Sequence, residues 1–194
     1  MLTGSAARQP MAFFTHRLYF RRYQLNVAQY GEILIAEAFQ GKKMGDSQLG
    51  YDILVSKGAF RNALRNAGLN LELMRTSPFN DEIRIQVKSK LNETPHGKAT
   101  VVHCTDSNLK AMTNLAVVLA HPGSRIPGGD SSREGLIIHA WLMTRDKAAA
   151  LRKKQGQVKY IRVNQLKDVA SKGDLIDITE MLSWVADARI EIGH

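Results

Sequence analysis

The stretch EIRIQVKSK, residues 82–90, carries side chains whose types and spacing could do chemistry. Its apolar and polar residues alternate, which predicts a β-strand with Gln86 and Lys88 on one face. An amide oxygen and carboxylates such as Asp52 and Glu32 suit Mg²⁺, a hard cation that prefers oxygen ligands and keeps several waters. A neighbouring lysine can orient a water or stabilise charge on a phosphate. The chemistry to expect is metal-assisted hydrolysis of a phosphodiester, although an ordinary half-buried strand has the same alternation.

Two further elements must bring the carboxylates to that strand. Residues 23–39 have the 3.6-residue period of an amphipathic helix, closed by Gly41, and Glu32 falls within its apolar arc. The next apolar run, LGYDILVS at residues 49–56, predicts a strand that carries Asp52. The order is therefore a helix with Glu32, a strand with Asp52, and a strand with Gln86 and Lys88.

The rest of the chain alternates helical and strand patterns. Helices are predicted at 57–68, 145–154 and 177–190, with a short polar piece at 107–114; strands are predicted at 99–104, 115–123, 136–144 and 158–163, and a mobile loop at 124–135. Helices and strands interleaved around one sheet predict an α/β or α+β class. A length of 194 residues fits one domain, residues 1–194.

Composition favours a polyanionic partner. The formal net charge is +9, which makes nucleic acid the first candidate and an anionic membrane the second. Cys104 is the only cysteine, so an internal disulfide and a four-cysteine zinc site are excluded, and a reducing, cytoplasmic location is expected. No apolar run is long enough to cross a bilayer.

Several basic residues are candidate nucleic-acid contacts. Residues 1–22 contain four arginines and no acid, which predicts a basic arm, with a transit peptide as the alternative. The predicted helix 145–154 could follow a phosphate backbone, although a solvated face is the simpler interpretation. The predicted contacts are Arg84, Lys90, Lys147, Arg152, Lys153 and Lys154.

In GEILIAEAF, GYDILVS and IQVKSK the chain resembles the PD-(D/E)XK nuclease superfamily, most closely its Mrr-type and related branches, over roughly residues 25–103. The resemblance implies a restriction-endonuclease-like fold, with a central mixed sheet flanked by helices. It implies a DNA endonuclease that uses Mg²⁺, with Mn²⁺ as a substitute, and homodimers are common among such enzymes. Asp52 would be the principal metal ligand, Gln86 the second and Glu32 an accessory one, while Lys88 would be the catalytic lysine.

The sequence departs from the family pattern at three places. Tyr51 stands where the family often has proline, Gln86 replaces an acid and removes one negative charge, and residues 57–78 form a candidate insertion. The missing charge leaves a second function open, a catalytically inactive nucleic-acid-binding protein with the same fold. A third is a protein whose basic surface binds an acidic protein.

Other patterns offer weaker chemistry. Gln157 and Lys159 repeat the Gln-X-Lys spacing, but no strand aspartate precedes them at a suitable distance, so a solvated strand face is expected. Zinc at His96, His103 and Cys104 lacks a fourth ligand at finger-like spacing, and adjacent strand residues point to opposite faces.

Overall fold

The computed structural model describes residues 13–15, 27–45, 50–69, 81–91, 100–124, 134–169 and 174–182. Its helices are α1 (Val27–Ala38), α2 (Lys57–Asn66), α3 (Asp106–Ala111), α4 (Arg145–Leu151) and α5 (Asn164–Val169). Its strands are β1 (Phe13–Thr15), β2 (Lys42–Lys43), β3 (Ile53–Ser56), β4 (Glu82–Leu91), β5 (Val101–His103), β6 (Asn114–Ser124), β7 (Glu134–Thr144), β8 (Lys153–Gln155), β9 (Val158–Arg162) and β10 (Leu175–Asp177).

The larger of two sheets has the strand order β1-β7-β6-β4-β3-β2, and β10 pairs with β7 as a seventh strand. Strands β4 and β6 are parallel and every other pair in this sheet is antiparallel. A parallel pair needs a crossover connection, and here β5 and α3 lie within it. The prediction of a mixed α/β fold with a central mixed sheet and flanking helices is confirmed.

The core lies on both faces of this sheet. On one face, the alternate β4 residues Ile83, Ile85 and Val87 pack in a cluster with residues of α1 and α2. On the other face, Leu115 and Val117 of β6 belong to a second cluster, which also includes residues of the small sheet. Strands buried on both faces read as continuous apolar runs, which is why β6 and β7 stand out in the sequence.

The smaller sheet has the order β5-β9-β8, and it corrects one prediction. Helix α4 ends at Leu151, so residues 152–154 of the predicted helix 145–154 are not helical. Lys153 and Lys154 instead pair with β9 in a hairpin whose turn contains Gly156 at a φ of 59°. Helical propensity in this basic segment is outweighed by cross-strand pairing.

Other boundaries differ by a few residues or lie outside the described ranges. Strand β3 begins after Asp52, whereas the predicted strand began at residue 49. Helix α5 and strand β10 were not predicted. Strand β10 ends at residue 177, where the predicted helix 177–190 begins, and residues 179–182 of that helix form a helical turn.

Two predicted segments are described in part. Residues 13–15 of the predicted arm 1–22 pair with β7, and the first ten residues of the candidate insertion 57–78 form α2. Most of the predicted loop 124–135 lies outside the described residues. No helix in the described part of the chain is long and apolar enough to cross a membrane.

Candidate active site

The pairing of β3 with β4 brings three of the predicted residues close together. The paired residues end at Ile53, which lies opposite Ile85, and the N–H of the preceding Asp52 also donates to the carbonyl of Ile85. Gln86 and Lys88 are two positions apart on β4 and therefore share one face of that strand. The carboxylate of Asp52 contacts the Gln86 amide and lies within electrostatic range of Lys88.

Backbone hydrogen bonds fix the position of Asp52. Its N–H donates to the carbonyl of Ile85 at 2.9 Å, and its carbonyl accepts from the N–H of Met44 at 2.7 Å. Its carboxylate Oδ2 accepts from the N–H of Val87 at 2.7 Å and from Nε2 of Gln86. Main chain and side chain of Asp52 are thus both tied to β4.

Gly50 allows the segment before Asp52 to pack directly against α3. Its φ is 103°, a conformation that L side chains rarely adopt, and a Cβ there would lie 2.8 Å from the carbonyl oxygen of Ser107. A glycine two residues before the aspartate is the sequence signal for this close approach.

Asn108 of α3 is a site residue that the sequence analysis did not identify. Its Oδ1 accepts from the backbone N–H of Thr105 at 3.1 Å and from the Thr105 hydroxyl at 2.9 Å, within a capping box. Its Nδ2 donates to Oε1 of Gln86 at 2.8 Å. The spacing of Thr105 and Asn108 signals a helix start, but it carries no sign of this contact with β4.

The Asn108 contact determines what Gln86 can do. Because Nδ2 of Asn108 donates to the Gln86 oxygen, the Gln86 nitrogen turns toward Oδ2 of Asp52 and also donates to the carbonyl of Val87 at 3.2 Å. Gln86 is 4% exposed and both of its polar atoms have protein partners. In this arrangement its nitrogen orients Asp52, and its oxygen has one lone pair engaged by Asn108.

Glu32 lies on α1, half-buried, and forms an ion pair with Nζ of Lys43 at 2.8 Å. Lys43 belongs to β2, the edge strand beside β3. Glu32 is close enough to Asp52 for its charge to raise the pKa of the Asp52 carboxyl. The helix thus contributes a second carboxylate to the same end of the sheet.

Burial is the largest cause that raises the pKa of Asp52 above its ordinary value. The hydrogen bond from Val87 opposes this rise, as do the positive charges of Lys88 and Lys43, while the negative charge of Glu32 adds to it. Two carboxylates and two ammonium groups therefore interact here, and their formal charges sum to zero.

Lys88 is half-buried on β4, and it acts on two groups. Its charge lowers the pKa of Asp52, and it also opposes the rise that burial causes in the pKa of the Cys104 thiol. Lys88 thus lies within electrostatic range of both the aspartate and the buried cysteine. Adjacent His103 is exposed, as expected for neighbouring residues on a strand.

The oxygen donors fit Mg²⁺ in part. No group of three or more His, Cys, Asp or Glu side chains that could hold a metal occurs among the described residues. One or two carboxylates with water suffice for Mg²⁺. Asp52 and Glu32 meet that requirement if Glu32 leaves its ion pair with Lys43 and binds the metal instead. The predicted metal-ligand role of Gln86 would use the second lone pair of its oxygen, because Asn108 donates to the first.

The predicted nucleic-acid contacts fall into two groups. Three of them have intramolecular partners: Arg84 lies over the ring of Tyr51 and near Glu82, Lys147 pairs with Asp174 at 3.2 Å, and Arg152 pairs with Asp106 at 2.7 Å. The other three, Lys90, Lys153 and Lys154, are exposed, and Lys90 also donates to the carbonyl of Val101 at 3.4 Å. Arg84 and Lys90 share the face of β4 that carries Gln86 and Lys88.

No protein-family model matches the chain, and no curated protein matches it at a significant level.

Proposed function

We propose that the protein is a Mg²⁺-dependent nuclease of the restriction-endonuclease-like fold, acting on DNA in the cytoplasm. The observation that supports this most directly is the placement of Asp52, whose desolvated carboxylate contacts the Gln86 amide and lies within electrostatic range of Lys88. Helix α1, β3 and β4 follow one another in the order of the three sequence pieces that resemble PD-(D/E)XK nucleases. The net charge of +9 supports a nucleic-acid substrate.

Each side chain has a role in this proposal. Asp52 and Glu32 would hold the metal. When bound, the metal would supply Lewis-acid polarisation of the phosphate and activation of a water. Lys88 places an ammonium where negative charge develops on the phosphate. Gln86 donates to Asp52 and keeps its carboxylate aligned, and Asn108 keeps the Gln86 amide in the orientation that this requires.

A cleavage assay with matched variants tests the proposal. Labelled DNA and RNA are incubated with Mg²⁺ or Mn²⁺ and with wild type, Asp52→Asn, Lys88→Met or Lys57→Met. Lys57 lies at the opposite end of β3 from Asp52, so it controls for the removal of a positive charge. We expect Asp52→Asn and Lys88→Met to cleave at least about 100-fold more slowly and the control to match wild type. Equal cleavage by all four proteins would contradict the assignment.

The structure also favours a second candidate, a nucleic-acid-binding protein that does not cleave. The amide of Gln86 satisfies Asp52 without a metal, and the two ammonium groups balance the two carboxylates. Gln86→Glu separates the candidates, because Asn108 can donate to either oxygen of a glutamate. Cleavage gained only in Gln86→Glu would mean that the natural protein binds without hydrolysis, whereas cleavage by wild type supports the nuclease.

A further inference from the structure

The small sheet β5-β9-β8 has one face that the core does not cover. Val102 and Ile161 point inward and are 4% and 0% exposed. Alternate residues point outward, and six of them form what we call the outer face: His103, Gln155, Val158, Tyr160, Arg162 and Lys153. None of the six is buried, and Val158 is 46% exposed, the one exposed large hydrophobic side chain among the described residues.

The pairing register gives the outer face a defined layout. Tyr160 lies on the central strand, directly opposite His103 on one side and Lys153 on the other. Arg162 follows two residues along the same strand and on the same face. Directly opposed side chains are about 5 Å apart, so the ring of Tyr160 lies between a histidine and a lysine.

The outer face carries only positive formal charge. Strands β5, β8 and β9 contain no aspartate or glutamate, and Asp106, the acid that contacts β9, pairs with Lys159 on the inward side. Lys153 and Arg162 are exposed. An aromatic ring beside the cations Lys153 and Arg162, on a chain with net charge +9, complements a chain of phosphates with accessible bases.

We propose that the outer face binds single-stranded nucleic acid. Tyr160 stacks on a base, Lys153 and Arg162 contact phosphates, and Val158 is covered by the bound strand. A duplex would not use Tyr160 in this way, because its bases are already stacked on one another. An acidic protein would use the two cations but has no bases for the ring.

The small sheet contacts the strand of the candidate active site through Lys90. Nζ of Lys90 donates to the carbonyl of Val101 at 3.4 Å, at the start of β5, and Lys90 lies two residues after Lys88 on the same face of β4. Lys90 therefore lies between the small sheet and Lys88. The binding itself does not require hydrolysis, so it holds for a nuclease and for a non-cleaving protein alike.

Binding is tested by fluorescence anisotropy in EDTA at low salt, where cleavage does not interfere. The probes are fluorescein-labelled single-stranded DNA, single-stranded RNA and duplex DNA of one sequence, and the variants are Tyr160→Leu, Tyr160→Phe and the double variant Lys153→Ser/Arg162→Ser. The control is Arg61→Ser/Arg65→Ser, which removes two exposed charges from α2, on the opposite layer of the fold. Circular dichroism of each variant verifies folding.

We expect Tyr160→Leu to weaken single-strand binding about tenfold with little effect on the duplex, and Tyr160→Phe to bind like wild type. The double variant should bind more weakly and lower the slope of log affinity against log salt by about 0.7 for each phosphate that is no longer neutralised. Wild-type affinity in Tyr160→Leu, or equally weakened binding in the α2 control, would overturn the proposal. So would preference for duplex, or for poly-glutamate over single strands. Cleavage by wild type with Mg²⁺ reports separately on the active site.

Discussion

The Asp52 carboxylate is held where it costs stability. Burial raises its pKa above the ordinary value of 3.8, and the charge of Glu32 adds to the rise. A carboxyl whose pKa is higher in the folded state than in the unfolded state lowers the free energy of unfolding when it is ionised. This loss of stability has its full value above the pKa of the folded state. It disappears below about pH 3.8, where the carboxyl is protonated in both the folded and the unfolded state. Such unfavourable burial is typical of functional sites.

Asp52→Asn should therefore stabilise the fold at neutral pH. Asparagine keeps an oxygen that can accept from Val87 and from Gln86, and it removes the desolvated charge. In urea unfolding we expect a higher midpoint than wild type at pH 7 and a difference that shrinks as the pH falls toward 3.8. The exposed Asp81→Asn controls for a general change in net charge. Lower stability of Asp52→Asn at pH 7 would show that Lys88 and Lys43 more than offset the desolvation.

The sequence predicts the site unevenly, for a physical reason. The shared face of Gln86 and Lys88 follows from the two-residue period of strands, which local sequence encodes. The amide orientation of Gln86 depends on Asn108, which is 22 positions away and reaches β4 only through the crossover that contains α3. Contacts that tertiary packing creates leave no periodic signal in the chain.

At the scale of elements, α1 packs closely against β4 at Gly31. A Cβ on Gly31 would lie 1.9 Å from Oγ of Ser89 and 3.0 Å from its Cβ. The Ser89 hydroxyl therefore occupies the space that a side chain at residue 31 would need. It is buried there without a hydrogen-bond partner. This contact lies one residue before Glu32, so it also sets the height of Glu32 above the sheet.

Gly31→Ala tests this packing, because two effects of opposite sign compete. Alanine is favoured over glycine in a helix by about 1 kcal/mol, but overpacking typically costs about 1–3 kcal/mol. We expect a net decrease in the free energy of unfolding, measured with urea, and partial recovery in Gly31→Ala/Ser89→Ala. Gly58→Ala in α2 is the matched control, since nothing lies within 4 Å of its added Cβ, and it should be neutral or stabilising. Stabilisation by Gly31→Ala would show that α1 does not rest on Ser89.

Long elements with a local pattern were predicted well, and short elements were not. The ten residues of β4 alternate along their whole length, and β6 and β7 are long apolar runs, so all three were predicted nearly to their ends. The three-residue strands β8 and β10 have no such pattern, and each exists because a neighbouring strand pairs with it. Residues 152–154 were therefore assigned wrongly to a helix.

At the scale of the whole molecule, the two sheets share a core, and an exposed carboxylate contributes to the junction. Asp106, at the start of α3, accepts from Nη1 of Arg152 at 2.7 Å and from Nζ of Lys159. Beside this cluster the N–H of Cys104 donates to the carbonyl of Lys159 at 3.0 Å. Because α3 also carries Asn108, the cluster connects the small sheet to the helix that orients Gln86.

The pH dependence of this junction follows from Asp106. The hydrogen bonds from Lys159 and Arg152 hold the pKa of its carboxyl below the ordinary value of 3.8. A lowered pKa means that the contribution to stability is present above about pH 3.8 and is lost as the pH falls through the folded value. The carboxylate is exposed, so salt screens the pairs and the effect on global stability should be small.

The effect should instead be local, which hydrogen exchange can resolve. We expect Asp106→Asn at neutral pH and low salt to lower amide protection in β8 and β9, while β6 and β7, the central antiparallel pair, stay protected. High salt or a pH below the pKa of Asp106 should loosen the same strands in wild type and should add little in the variant, since the pairs are already absent. An equal decrease in protection across both sheets would mean that the small sheet unfolds with the large one, and that the shared core, rather than Asp106, holds the two together.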